Sequence, residues 1–173
     1  LFLDKGDKLG LTRLAYNFLG GILNSAEGLS AFFNPSINSY RRIDAPVTAS
    51  GATWSPSKVS YTGNNRTHMI RVPDPGRFEL RLMDGSVNPY LLQAGIIAAG
   101  IDGIEKKRDP GQPLFINMYT DGDKYPNIKK LPSDLEEALE HLSKNEVLLT
   151  AFGEKNITSY LKLKEQELKD FNS

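Results

Sequence analysis

The spacing of apolar residues switches from helical to alternating and back to helical along the chain. Residues 8–23 carry Leu9, Leu11, Leu14, Ala15, Phe18, Leu19, Ile22 and Leu23, a helical stripe that the pair Gly20-Gly21 is expected to weaken. Residues 32–40, FFNPSINSY, have turn chemistry. Strand patterns follow over 47–54, 59–61, 67–72 and 78–82, with turns expected at Asn64-Asn65, Asp74-Pro75-Gly76 and Asp84-Gly85. The last strand, RFELRL (77–82), puts Phe78, Leu80 and Leu82 on one face and Arg77, Glu79 and Arg81 on the other.

Helical spacing returns at 88–107. Asn88 is the expected cap and Pro89 the first helical residue, and the stretch is apolar nearly all round, which predicts a buried helix. Residues 108–131 form a long connection rich in Pro, Gly and Asp, of the kind that is often functional. Capping boxes Ser133-x-x-Glu136 and Ser143-x-x-Glu146 announce two short helices, and Gly153 closes the second. An amphipathic helix is expected over 154–171, with Ile157, Tyr160, Leu161, Leu168 and Phe171 on one side. The pattern predicts one α+β unit: an antiparallel sheet packed with helices, and a helical C-terminal tail.

Composition narrows the functional classes. The chain has no cysteine, which removes disulfides and thiolate chemistry and suits a cytoplasmic location. Formal net charge is zero, so nothing points to nucleic acid, and no apolar run is long enough to span a membrane.

Zero net charge hides an asymmetry. Residues 41–81 hold seven cations, six of them Arg, against three acids; residues 134–173 hold nine acids against five Lys. Guanidinium forks recognise carboxylates and phosphates through paired hydrogen bonds. An Arg-lined sheet face reads either as an anion site or as a solvated face. Glu79 within the row adds the option of a divalent metal bridging phosphate oxygens. Of the two histidines, His68 reads as structural or supporting and His141 as solvated; Trp54 and Tyr61 read as packing residues.

Five motifs then stand in register: NPSINSYRR (34–42), NNRTHMIRVP (64–73), GRFELRL (76–82), NPYL (88–91) and AAGIDGI (98–104). In this order and spacing they resemble glutamine synthetases, from about residue 8 to the end. The resemblance implies a partial catalytic domain over 1–173, its C-terminal half, with the N-terminal domain and the first half of the catalytic domain lying upstream. It implies phosphorylation of the glutamate γ-carboxylate by ATP and attack by ammonia on the γ-glutamyl phosphate. Mg2+ or Mn2+ would lie between ATP and glutamate, and the full-length protein would assemble as a homo-oligomeric ring. This piece is expected to be inactive alone.

Motif by motif, the resemblance implies that Arg42 binds the glutamate carboxylate. Arg66 would contact glutamate and the transferred phosphoryl group. Arg71 and Arg77 would bind ATP phosphates, Glu79 would ligate the ATP-side metal, and Arg81 would lie beside the glutamate γ-carboxylate. Two departures stand out: the segment after Arg42 is short, with Asp44 as its one nearby acid, and no lysine precedes Arg77 in VPDPGR. These features resemble a divergent branch that includes γ-glutamylmethylamide synthetases, so methylamine is an alternative nucleophile. A non-catalytic family member is the remaining alternative.

Overall fold

The computed structural model describes residues 1–43, 45 and 55–172. The strand expected over 47–54, Asp44 and Trp54 lie outside the described residues. Six α-helices and a three-stranded sheet are found among those described, so the α+β expectation holds.

Helix α1 (Arg13–Phe33) is the spine of the fold. Thr12 caps it, its hydroxyl accepting from the Ala15 amide, and the helix runs ten residues beyond the expected end at residue 23. The apolar stripe continues through Ala26, Leu29 and Phe33, all fully buried, and stops only where Asn34 and Pro35 interrupt it. The helix runs unbroken through Gly20 and Gly21. Gly21 is where α2 (Pro89–Glu105) crosses it, and Gly20 faces Arg108 just beyond the end of α2. A Cβ on Gly21 would lie 1.9 Å from the Ala99 carbonyl oxygen, and one on Gly103 would lie 2.1 Å from the Asn17 carbonyl oxygen. Only glycine lets the two backbones approach this closely.

The expected cap of α2 is present, with Asn88 Oδ1 accepting from the Tyr90 and Leu91 amides. Its expected burial is not. Tyr90 is 83% exposed, Ile97 54% and Ile101 46%, because one face meets α1 and the opposite face meets nothing among the described residues. The apolar residues of α2 reveal that it can be covered on all sides, not that it is.

Strands β1 (Tyr61–Thr62), β2 (Ile70–Asp74) and β3 (Arg77–Leu80) form the sheet in that order. The β2–β3 pair is the expected antiparallel hairpin, with Gly76 at positive φ in its turn. The β1–β2 pair is parallel, which corrects the expectation of a wholly antiparallel sheet. Residues 63–69 do not make a hairpin at Asn64-Asn65. They bulge outward, held by side chains, and return the chain alongside β1 in the same direction. Beneath β3, Phe78 stacks on Phe2 with ring centroids 5.7 Å apart and lies against Phe18 at 6.1 Å.

The 108–131 connection carries the short helix α3 (Met118–Asp121). Helices α4 (Leu135–Ser143) and α5 (Glu146–Phe152) start one and two residues from the expected caps: Asp134 and Asn145 accept the helical amides. Ser133 instead bonds the Glu137 carboxylate through its amide and hydroxyl. Gly153 ends α5 at positive φ as expected. In α6 (Glu154–Asn172), Ile157, Tyr160, Leu161 and Leu168 pack on the core, and the Tyr160 hydroxyl donates to the Ala31 carbonyl at 2.7 Å. Phe171 departs from the expected stripe and is exposed. No helix among the described residues is long and apolar enough to cross a membrane.

Candidate anion-binding site

The alternation in RFELRL places the site. Phe78 and Leu80 turn to the apolar side and Leu82 is fully buried, so Glu79 and Arg81 stand on the opposite face. Glu79 lies between two arginines. Arg71 Nη1 donates to Oε2 at 3.2 Å and Arg81 Nε reaches Oε1 at 3.2 Å. Both guanidiniums are largely covered, whereas the carboxylate is about a third exposed. A solvated charge ladder would leave all three side chains in water, so these two pairs are not one.

Each arginine is held a second time. Arg71 donates through Nε (2.9 Å) and Nη2 (2.6 Å) to Asn64 Oδ1. Arg81 donates through Nη1 to the backbone oxygen of Arg66, tying the 63–69 bulge to the end of β3. The Arg66 guanidinium has no ion pair or side-chain hydrogen bond among the described residues and is exposed. Arg71 and Arg81 thus hold one carboxylate between them with a surplus of positive charge, and both are fixed before any ligand arrives.

Arg42 is built in more deeply. Its Nη2 donates to Asn34 Oδ1 and to the Leu82 carbonyl, both at 2.8 Å, and its Nη1 to Ser55 Oγ at 2.9 Å. Burial pushes its guanidinium below the ordinary value, Arg81 adds to that, and Asp84 opposes it. Asp84 is itself pushed up by burial, yet hydrogen bonds from Ser39 and Ser86 and the Arg42 charge hold it below the usual carboxylate range. Arg77 is not brought to the cluster. It sits at the outer end of the hairpin, paired with Asp74 at 2.7 Å, with both side chains largely exposed.

Four contributors escaped the sequence reading. Asn64 anchors Arg71, and its signal was masked by its reading as a turn residue. Tyr119 of α3 donates to the Ser55 carbonyl at 3.2 Å and lies within electrostatic reach of Arg42 and Arg81. Lys5 and Lys8, with Asn64, Val72 and Asp74, line an open cavity of about 710 Å3 beside the hairpin. A groove of similar size, about 740 Å3, lies between α4 and α6, away from the arginine-bearing elements.

A divalent cation such as Mg2+ or Mn2+ needs several oxygen donors around it. Glu79 is a hard oxygen donor of the kind that Mg2+ and Mn2+ take. No group of three or more metal-binding side chains exists among the described residues, and both Glu79 oxygens face arginines. The described residues therefore supply one ligand and not a site.

The family model described as "Glutamine synthetase, catalytic domain" matches residues 1–173. The chain belongs to the glutamine synthetase catalytic-domain family. A glutamine synthetase from Rhizobium meliloti (strain 1021) is 54% identical over 166 residues, covering 96% of this chain and 38% of the relative. A glutamate–methylamine ligase from Methyloversatilis universalis is 45% identical over 172 residues, with 96% and 38% covered. The solved structure described as "GmaS/ADP complex-Conformation 1" superposes with a TM-score of 0.92 at 50% identity, over 99% of this chain and 39% of that one. This chain spans about two-fifths of the length of the relatives it matches. Those relatives are ligases.

Proposed function

We propose that the chain is the C-terminal part of the catalytic domain of an ATP-dependent carboxylate–amine ligase that makes glutamine from glutamate and ammonia through γ-glutamyl phosphate. The observation that carries this reading is the fixed Arg71–Glu79–Arg81 clamp, tied through Arg81 to the backbone of Arg66, whose guanidinium has no ion pair or side-chain hydrogen bond among the described residues. Phosphoryl transfer between a polyphosphate and a dicarboxylate needs positioning and charge neutralisation, and arginines locked in advance provide both.

In this reading Arg66 receives the phosphoryl oxygens and the glutamate γ-carboxylate, and its exposed guanidinium is open to them. Arg81 lies on the glutamate side and Arg71 on the ATP side, where the cavity lined by Lys5 and Lys8 also opens. Arg42, half-buried and triply bonded, acts on the glutamate carboxylate from a rigid base. Arg77 meets ATP phosphate only if it leaves Asp74. Glu79 serves as one ligand of a divalent cation, Mg2+ or Mn2+, whose remaining ligands come from outside the described residues. The bound cation would neutralise phosphate charge. In the full protein the partners are glutamate, ATP and the amine, with further copies in a homo-oligomeric ring, in the cytoplasm.

Methylamine as the nucleophile is the second reading. It is favoured by the likeness to the glutamate–methylamine ligase and to the GmaS structure. The test is phosphate release by the complete protein with ATP, glutamate and Mg2+, with ammonium and methylamine in parallel, for wild type and Glu79→Ala. Turnover that needs one amine and is abolished by Glu79→Ala upholds the ligase reading and names the amine. No release with either amine from a folded, assembled wild type would sink it in favour of a non-catalytic role.

A further inference from the structure

Three residues of the Arg66 bulge, Asn65, Thr67 and His68, are tied to one short piece of the 108–131 connection. The Ile116 carbonyl oxygen accepts from Asn65 Nδ2 at 2.8 Å and lies 3.0 Å from His68 Nε2. Asn65 Oδ1 accepts from the Thr67 amide (3.0 Å) and hydroxyl (2.9 Å), and the Met118 amide donates to Thr67 Oγ1 at 3.0 Å. His68 is fully buried, with Nδ1 3.1 Å from Ser60 Oγ. A carbonyl can only accept, so Nε2 carries the proton and Nδ1 takes the Ser60 hydroxyl hydrogen. One residue further on, Tyr119 lies within electrostatic reach of Arg42 and Arg81. Both lone pairs of the Ile116 oxygen are spent on this bulge.

We propose that residues 116–119 are a strap that positions the site arginines, with His68 as the positioning residue that fixes the Arg66 bulge to the Ile116 carbonyl. This rests on the assignment of Arg66 to glutamate and the phosphoryl group. His68 touches neither substrate. It sets where the Arg66 backbone stands, while Arg81 pins the same backbone oxygen from the other side. The connection is thereby given a task in substrate binding that its sequence does not announce.

The test uses the complete protein with His68→Leu, which fills the space without a donor, His68→Gln, whose amide can still donate to Ile116, and Arg66→Ala. Hydrogen exchange should quicken together in 63–69 and 115–119 of His68→Leu and stay unchanged in α4 and α5. The glutamate KM of His68→Leu should rise about tenfold, the loss of one buried hydrogen bond, with the ATP KM within about twofold and His68→Gln restoring most of the loss. A merely structural histidine would lower the melting temperature and leave both KM values alone. Exchange that quickens in one segment without the other overturns the strap. An unchanged glutamate KM in His68→Leu beside a raised one in Arg66→Ala overturns this proposal alone. An unchanged glutamate KM in Arg66→Ala overturns the assignment of Arg66, and this proposal with it.

Discussion

Gly21→Ala tests whether the α1–α2 crossing is as close as it looks. The new Cβ would stand 1.9 Å from the Ala99 carbonyl oxygen and 2.8 Å from Gly103 Cα, both backbone atoms that no rotamer change can move. Ordinary contact needs roughly 1.3 Å more, so the helices must part by about 1 Å along the crossing and lose dispersion contacts on either side. Overpacking of this kind costs about 1–3 kcal/mol. Alanine recovers about 1 kcal/mol through helix propensity at an internal position. Because the clash is with backbone on both sides, the cost lies at the top of that range, and a net loss of about 2 kcal/mol is expected. For a chain of this size that lowers the melting temperature by roughly 4–8 °C. The assay is thermal unfolding followed by circular dichroism at 222 nm, with Gly85→Ala as control, since a Cβ there meets nothing within 4 Å. If Gly21→Ala melts at or above wild type while Gly85→Ala is neutral, the two helices are not in backbone contact and the reasoning about this glycine pair is wrong.

Two further outcomes are expected. Burial holds His68 below its ordinary value of 6.5 against the opposing Ile116 hydrogen bond. The unfolded chain then binds the extra proton first, so the stability that this group contributes is present above about pH 6.5 and lost as pH falls through its folded value. Melting temperature measured from pH 7.5 to 5 should therefore fall more steeply for wild type than for His68→Gln, and parallel curves would contradict the buried neutral imidazole. Asn64→Ala removes the oxygen that accepts twice from Arg71, so the ATP KM of the complete protein should rise by about five- to tenfold, with a smaller change for glutamate. Steady-state kinetics with each substrate varied in turn check this, and an effect confined to glutamate would reverse the assigned sides.

The alternation in RFELRL was legible because a strand with one apolar face has a single way to bury Phe78, Leu80 and Leu82. The caps of α2 and the end of α5 were legible because Asn, Pro and Gly act on their immediate neighbours. Helix α1 was cut short in the reading because glycine pairs are poor local helix formers, and only the presence of α2 explains why two of them lie inside a stable helix. The parallel β1–β2 pair escaped because its register is set by side chains reaching from 65–68 to residues 116–118, some fifty positions away. The same distance hid the role of His68. The arginines were found by their type and motif, but their partners were not. Asn64 reads as a turn residue, Asn34 lies in a stretch of turn chemistry, and Arg77 shares the alternating row of Glu79 and Arg81, whereas the hairpin places it beside Asp74.

Helix α1 is also the element synthesised before nearly everything that covers it. Its partners begin at Pro89, Leu135, Glu146 and Glu154, so the last of them follows the end of α1 by about 120 residues. At roughly 5–20 residues per second on the ribosome, its apolar face waits about 6–24 s for that final cover. During that interval the apolar face of α1 lacks the helices that later cover it, and slower delivery of the rest of the chain prolongs the wait.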